Sequence, residues 1–505
     1  MRLKGKLIAG IFFLAAVTLF AGAGKDTSSG GGGDDTLEFT ALINQFQLPP
    51  SPTGAFWTDM EKRFNVKYKI NFVQDSSYEE NLGRLVATNA LPDVIQFTST
   101  AGTFFVQAVE AGMLWDLTPY LDWKEYENFG KLAPSAWVNS KYAGKNWVMP
   151  SSRGQYDSAW MIRADVCTKY NLPIPTTIDQ FTAYLEACAK EGIIPIASAV
   201  QRQITRYQDA FGPGNMYPLY TADKTGIVPN HLAESYAKTV EWFHELYTKG
   251  LLAKEFANID DAQVENLIVT GKNGVYQKNS WHRFRLNDEL HKVLPNAEIR
   301  PIYYLAGPGG TSIWYDLGFW GGVAINKKVP EAKMKRIMKF FDGTSNPEMV
   351  NYFQYGIPGI HHNVVDGFPQ FTEQGKREIN NTTYIPFILA TTTWIKVDSP
   401  LATPAYNLET RKMNLVIDDV AARLGTAPYQ LFNLISSKAY SRFWAQYQND
   451  FYAAVVDTIT GVKTPAQFRD YQQQLLRLPD VQTAQKEFKQ SYDSFNLTNW
   501  KPPAK

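Results

Sequence analysis

Gly144 to Asp165, reading GKNWVMPSSRGQYDSAWMIRAD, constrains this chain more than any other stretch. Trp147, Val148 and Met149 make an apolar strand that stops at Pro150. Ser151, Ser152, Arg153, Gly154 and Gln155 form a polar turn, and a second apolar strand runs from Ser158 to Ile162. Two strands divided by a polar turn fit either a surface loop between core strands or a chain that leaves one lobe and enters another. Length favours the second reading, because 505 residues exceed what a single hydrophobic core usually fills. The turn carries one cation with several hydroxyl and amide groups, flanked by Trp147, Tyr156 and Trp160. That is the chemistry of a wall facing a polar, ring-shaped ligand.

The rest of the chain alternates strand and helix. Leu37, Phe39 and Ala41 alternate with polar residues in a first strand that ends in Asn44, Gln45, Phe46 and Gln47. Tyr68, Ile70 and Phe72 mark a second strand, Tyr78 to Ala90 a helix, and Asp93 to Phe97 a short buried strand. Thr177 with Gln180 predicts a capping box for a helix bearing Ile178, Phe181, Leu185 and Cys188 on one face. Tyr236, Val240, Phe243 and Tyr247 predict another helix, stopped by Gly250. Pro301 to Leu305 is expected as one strand, Gly318 to Lys327 as a strand running back between lobes, and the final third as helical, including a capping box at Thr464 with Gln467. The pattern predicts an α/β protein of two lobes, each a mostly parallel sheet flanked by helices.

A net charge of +1 leaves no electrostatic footprint for nucleic acid. The 13 Trp, 27 Tyr and 30 Phe exceed what a core requires, so some are expected to line a site. Arg2, Lys4 and Lys6 before the apolar run Leu7 to Phe20 predict an export signal over residues 1–23, followed by a flexible Gly/Ser tether over 24–36. Leu19 to Gly22 also fits the approach to a lipoprotein cysteine, but Ala23 has no thiol to acylate. Cys167 and Cys188 either pair or serve as small buried apolar side chains. The signatures of the common hydrolases, metalloproteases, thiol-redox proteins and phosphate loops are missing, and His361-His362 has no third metal ligand at a useful spacing.

Several blocks together point further. The crossover with its continuation VCTKYNLPIPTTIDQF is similar to a Y-x-G-K-x-Y-x-[IV]-P block followed by an aromatic strand, R-x-D and a Leu-x-x-P-T helix start. Tyr236 to Leu252, Gly271-Lys272-Asn273-Gly274 with Trp281, Tyr355 to His361 and Ile459-Thr460-Gly461 follow in matching order. The chain resembles the bacterial extracellular solute-binding proteins of family 1, in the long subgroup that includes alginate-oligosaccharide binders of ABC importers. The resemblance implies a type II-like periplasmic-binding fold, with one lobe from residues 37–155 and 322–393 and the other from 156–321 and 394–505. It implies an oligosaccharide ligand, a membrane permease as partner, and an exported, monomeric protein without cofactor or catalysis. Thr221 to Pro229 stands where related alginate binders carry a calcium loop. Its single carboxylate, Asp223, predicts no structural metal. Expected ligand-binding residues are Gln45, Arg153, Tyr156, Trp160, Trp281, Arg285, Trp320, Tyr355, His361 and Trp394. Two other readings compete: a secreted lyase or hydrolase acting on polysaccharide, and a receptor for peptides or lipid precursors.

Overall fold

The strand at Leu37–Gln45 is flanked on both sides, which is why its second half is buried without alternation. The computed structural model describes residues 35–45, 53–152, 158–199, 202–215, 218–313, 318–379, 398–400, 403–424 and 437–494. The predicted signal, the predicted tether up to residue 34, and Arg153, Tyr156 and Trp394 lie outside these residues. In chain order the strands are β1 (Leu37–Gln45), β2 (Val66–Gln74), β3 (Val94–Phe97), β4 (Met149–Ser152), β5 (Ser158–Arg163), β6 (Ile194–Ile196) and β7 (Asn273–Asn279). They continue with β8 (Ile299–Ile302), β9 (Tyr304–Gly307), β10 (Gly310–Ile313), β11 (Phe319–Ile325), β12 (His362–Val365) and β13 (Phe368–Phe371).

Two sheets organise the chain: a five-stranded one in the order β2-β1-β3-β11-β4 and a four-stranded one in the order β6-β7-β5-β8. This is the two-lobed α/β architecture. The sheets are mixed, however, not mostly parallel. β1 runs parallel to β2 and β3, and β6 parallel to β7, but β11 and β5 are antiparallel to both of their neighbours. The reason is connectivity. β5 and β11 are the strands by which the chain crosses between sheets, so each enters at the end where its neighbours leave. The expected strand Pro301 to Leu305 divides at Tyr303, because Ile302 pairs with Trp160 while Ala306 donates its N–H to the Thr176 carbonyl and joins the β9–β10 hairpin.

Helices cover both faces of each sheet. On the second sheet, Trp160 and Ile162 pack with Phe181, Tyr184, Val240 and Phe243, while Met161 between them packs with Val264, Ile268 and Leu286. The C-terminal helices Lys438–Ile459 and Pro465–Leu476 close the first of these clusters with Phe443, Phe451 and Phe468. The predicted caps form. Thr177 accepts from the Gln180 N–H, and Thr464 with Gln467 makes a full capping box. Gln180 Oε1 turns instead to Thr176, accepting its N–H at 2.9 Å. Cys167 and Cys188 are free buried thiols, and burial pushes Cys188 up to about 12.

The helix Pro404–Leu424 touches both lobes. Tyr406 packs edge-on against Phe284 and Thr410 meets Arg283 beside the second sheet. The next residue, Arg411, lies 4.4 Å over the Phe368 ring of the β12–β13 hairpin and pairs with Asp398 at 2.6 Å. That hairpin is tied to the first sheet's core through Phe371.

Candidate functional site

The site is framed by the ends of strands. β1 ends at Gln45 opposite Gln74 of β2, β3 ends at Phe97, and β4 ends at Ser152 opposite Phe319 of β11. On the other sheet the corresponding edge holds Ser158, its partner Asn279, and Ile302 followed by Tyr303. From Ser152 to Ser158 is six residue steps, about 21 Å of chain at most, and from Ile313 to Phe319 the same. Two such short links draw the two edges together. In α/β sheets, ligands bind outside strand ends of this kind.

A cavity of about 690 Å³ opens on the second lobe along β8, between that strand, the helix Arg283–His291 and the helix Pro404–Leu424. Tyr303, Tyr304 and Tyr406 line it together with Arg283 and Asn287. Asn287 is fixed from both ends of its amide. Its Nδ2 donates to the Ile299 carbonyl at 3.0 Å and its Oδ1 accepts from the Ile299 N–H at 2.7 Å, which locks the helix to β8. Arg283 is only 7% exposed. Burial pushes its pKa down from the ordinary arginine value, with Tyr303 and Glu409 opposing.

The expected residues divide. Gln45 sits at the end of β1 and Trp320, half-buried, near the start of β11, both at the edge of the first sheet. Trp281 lies in the single 3-10 turn Ser280–His282, two residues before Arg283; its side chain is not among the described ones. Four others do not serve as expected. Trp160 has no exposed surface and packs on Tyr207 with ring centroids 5.4 Å apart, because helices cover both faces of β5. Arg285 points away from the cavity, exposed and paired with Glu265 at 2.8 Å. His361 is fully buried: its Nδ1 accepts the Ile357 N–H at 2.9 Å, so its Nε2 carries the proton and donates to Glu378 at 3.0 Å. Glu378 also accepts the Ala55 N–H at the start of the helix Ala55–Phe64. Burial opposes its charge, yet the bonds from His361 and Gln374 hold the carboxyl below the usual range. Tyr355 is buried beside His362, whose Nδ1 bonds to its carbonyl at 2.9 Å. The Tyr355–His361 motif is therefore architecture: Gly356, at φ 69°, leaves room for the His361 ring 2.7 Å from where a Cβ would stand.

The sequence profile described as bacterial extracellular solute-binding protein matches residues 33–343, more than half of the chain, and both crossings lie within it. The chain belongs to that family. A family relative, the polygalacturonan/rhamnogalacturonan-binding protein YtcQ of Bacillus subtilis (strain 168), is 26% identical over 378 residues, 71% of this chain and 74% of its own. The fold is that of the alginate-binding protein AlgQ2 solved without calcium ion, with a TM-score of 0.61 at 17% identity, covering 91% of this chain and 98% of that one. It is also that of a solute-binding protein described as HMO binding and ABC-transporter associated, from Bifidobacterium longum infantis. There the TM-score is 0.66 at 14% identity, covering 90% and 99%. The family and these neighbours bind solutes and do not transform them. Among the described residues no helix is long and apolar enough to cross a membrane.

Within the loop Thr221 to Pro229, the Asp223 carboxylate accepts from Thr221 Oγ1 at 2.6 Å, Thr225 Oγ1 at 2.8 Å and the Thr225 N–H at 3.1 Å, which holds its pKa down at about 2. The charge is satisfied by the loop itself. Among the described residues no group of three or more His, Cys, Asp or Glu is placed to hold a metal. EDTA is expected to leave the melting temperature unchanged; a fall restored by calcium would reveal a metal site.

Proposed function

We propose that this solute-binding protein captures an oligosaccharide between a lobe of residues 37–155 and 322–393 and a lobe of residues 156–321 and 394–505. Closing about the two crossings buries the ligand, and the closed form delivers it to an ABC permease. Each lobe supplies one wall, and ligand favours the closed state because only there does it touch both. The observation that carries this reading is the tyrosine-lined cavity along β8 of the second sheet. Sugar C–H faces pack on aromatic rings, and hydroxyls bond to amides and guanidinium groups. The protein acts as an exported monomer without catalysis, and its relative YtcQ, described as binding pectic polymers, supports a sugar ligand.

Incubation of the pure protein with oligosaccharide panels tests this. Unchanged sugar with a raised melting temperature is expected; cleaved or unsaturated products would replace the reading with a polysaccharide-active enzyme. Trp281→Ala is expected to weaken sugar binding by about 30-fold, roughly 2 kcal/mol, by calorimetry. Its melting temperature should stay near that of the parent. Unchanged affinity with a large drop in melting temperature makes Trp281 a core residue.

A further inference from the structure

Of the buried arginines of the second lobe, Arg163 and Arg283 are treated very differently. Arg163, 4% exposed, has a fork-on-fork partner in Asp165 at 2.8 and 2.7 Å and a third bond to the Gly271 carbonyl at 3.0 Å. That is the ordinary condition of a guanidinium taken out of water, since an unmatched buried charge is costly. Arg283, nearly as buried, has a single hydrogen bond among the described residues, to the neutral Thr410 hydroxyl at 3.4 Å, and its guanidinium lies 4.6 Å from the centre of the Phe284 ring; no carboxylate forms an ion pair with it there.

The carboxylates around it are committed elsewhere. Glu298 accepts from Arg300 Nε at 2.7 Å and Glu409 from Lys412 at 2.6 Å. Asp419, the other acid on the cavity wall, lies nine residues along the helix from Thr410, about 13 Å by helical rise. The remaining donors of Arg283 belong to a side chain that lines the cavity of about 690 Å³, walled by Tyr303, Tyr304 and Tyr406. A guanidinium offers five N–H groups in a planar fork that matches a carboxylate.

We infer that Arg283 anchors a carboxylate of the bound sugar, so that the ligand is an oligosaccharide containing uronic-acid units. This rests on the oligosaccharide reading above and narrows it. The carboxylate completes the pairing that the described residues leave unmade, while the tyrosines receive the ring that carries it.

The test is calorimetry on the full-length protein with trimers of galacturonate, mannuronate and glucuronate, each beside its carboxyl-reduced counterpart, the neutral trimer of the same linkage. At least one acidic trimer is expected to bind about 30-fold more tightly than its neutral partner, and Arg283→Gln to bring that ratio close to one. Equal binding of acidic and neutral trimers overturns the carboxylate anchor and leaves the sugar reading standing. A preference that survives in Arg283→Gln places the anchor elsewhere and also overturns it. If no sugar of either kind binds, the oligosaccharide reading falls and takes the anchor with it. Should the glutamine variant not fold, Arg283→Lys keeps the charge but loses the fork. It is expected to cut the acid preference about tenfold, and an undiminished preference is then the overturning result.

Discussion

Trp160→Ala is expected to lower the stability of the protein by about 3–5 kcal/mol, the usual cost of emptying a large aromatic site in a core. The indole has no exposed surface, and its neighbours Tyr207, Phe181 and Tyr184 are fully buried and held by helices on the same face. They cannot collapse into the space without breaking their own packing. Urea unfolding followed by circular dichroism measures the loss, and sugar affinity measured well below the midpoint should be within about twofold of the parent. A variant as stable as the parent but unable to bind would return Trp160 to the ligand wall. Trp160→Phe, which keeps a ring in place, should lose less than the alanine variant.

The second large effect is expected at Gly321. It sits in the irregular stretch of β11 between Phe319 and Gly322 with φ 58°, and an added Cβ would stand 1.9 Å from the Phe97 carbonyl oxygen of β3. Two costs combine in Gly321→Ala: about 1–3 kcal/mol for a left-handed non-glycine residue, and about 1–3 kcal/mol for pushing two paired strands apart. Gly112 separates them. Its φ is 67°, but nothing lies within 4 Å of the added carbon, so Gly112→Ala should show the conformational cost alone. Denaturation midpoints of the two variants decide the matter. Equal losses at both positions would mean that β11 yields easily, and the close approach to β3 would lose its importance.

The architecture was legible wherever one face of an element is apolar and the other is not. Leu37, Phe39 and Ala41 gave β1, the spacing from Tyr236 to Phe243 gave the helix Glu234–Thr248, and Thr464 with Gln467 gave a helix start, because each pattern is set by local geometry. Sheet direction was not legible. Nothing in the residues of β5 or β11 records that they enter their sheets from the far end. Trp160 shows a related limit: an aromatic strand after a hinge looks the same whether one face is open to ligand or both are covered. That Arg283 and not Arg285 lines the cavity was not legible, because the run Trp281 to Asn287 has no clear apolar period to mark the helix start. Two residues along a helix is about 200° of rotation, enough to exchange a cavity wall for solvent. His361 and Tyr355 were recognised as belonging to a motif, but the motif's work is to seat a histidine between Ile357 and Glu378.

The helix Pro404–Leu424 holds one further implication. Thr410 grips Arg283 and its immediate neighbour Arg411 grips Phe368 and Asp398, so the two handholds are about 100° apart around a single axis. A rigid rod held in this way works as a torsion bar: any roll that draws Thr410 towards the arginine also swings Arg411 across the hairpin, by the same angle. A displacement of the guanidinium would therefore reach the β12–β13 hairpin as rotation, transmitted along a helix that itself walls the cavity.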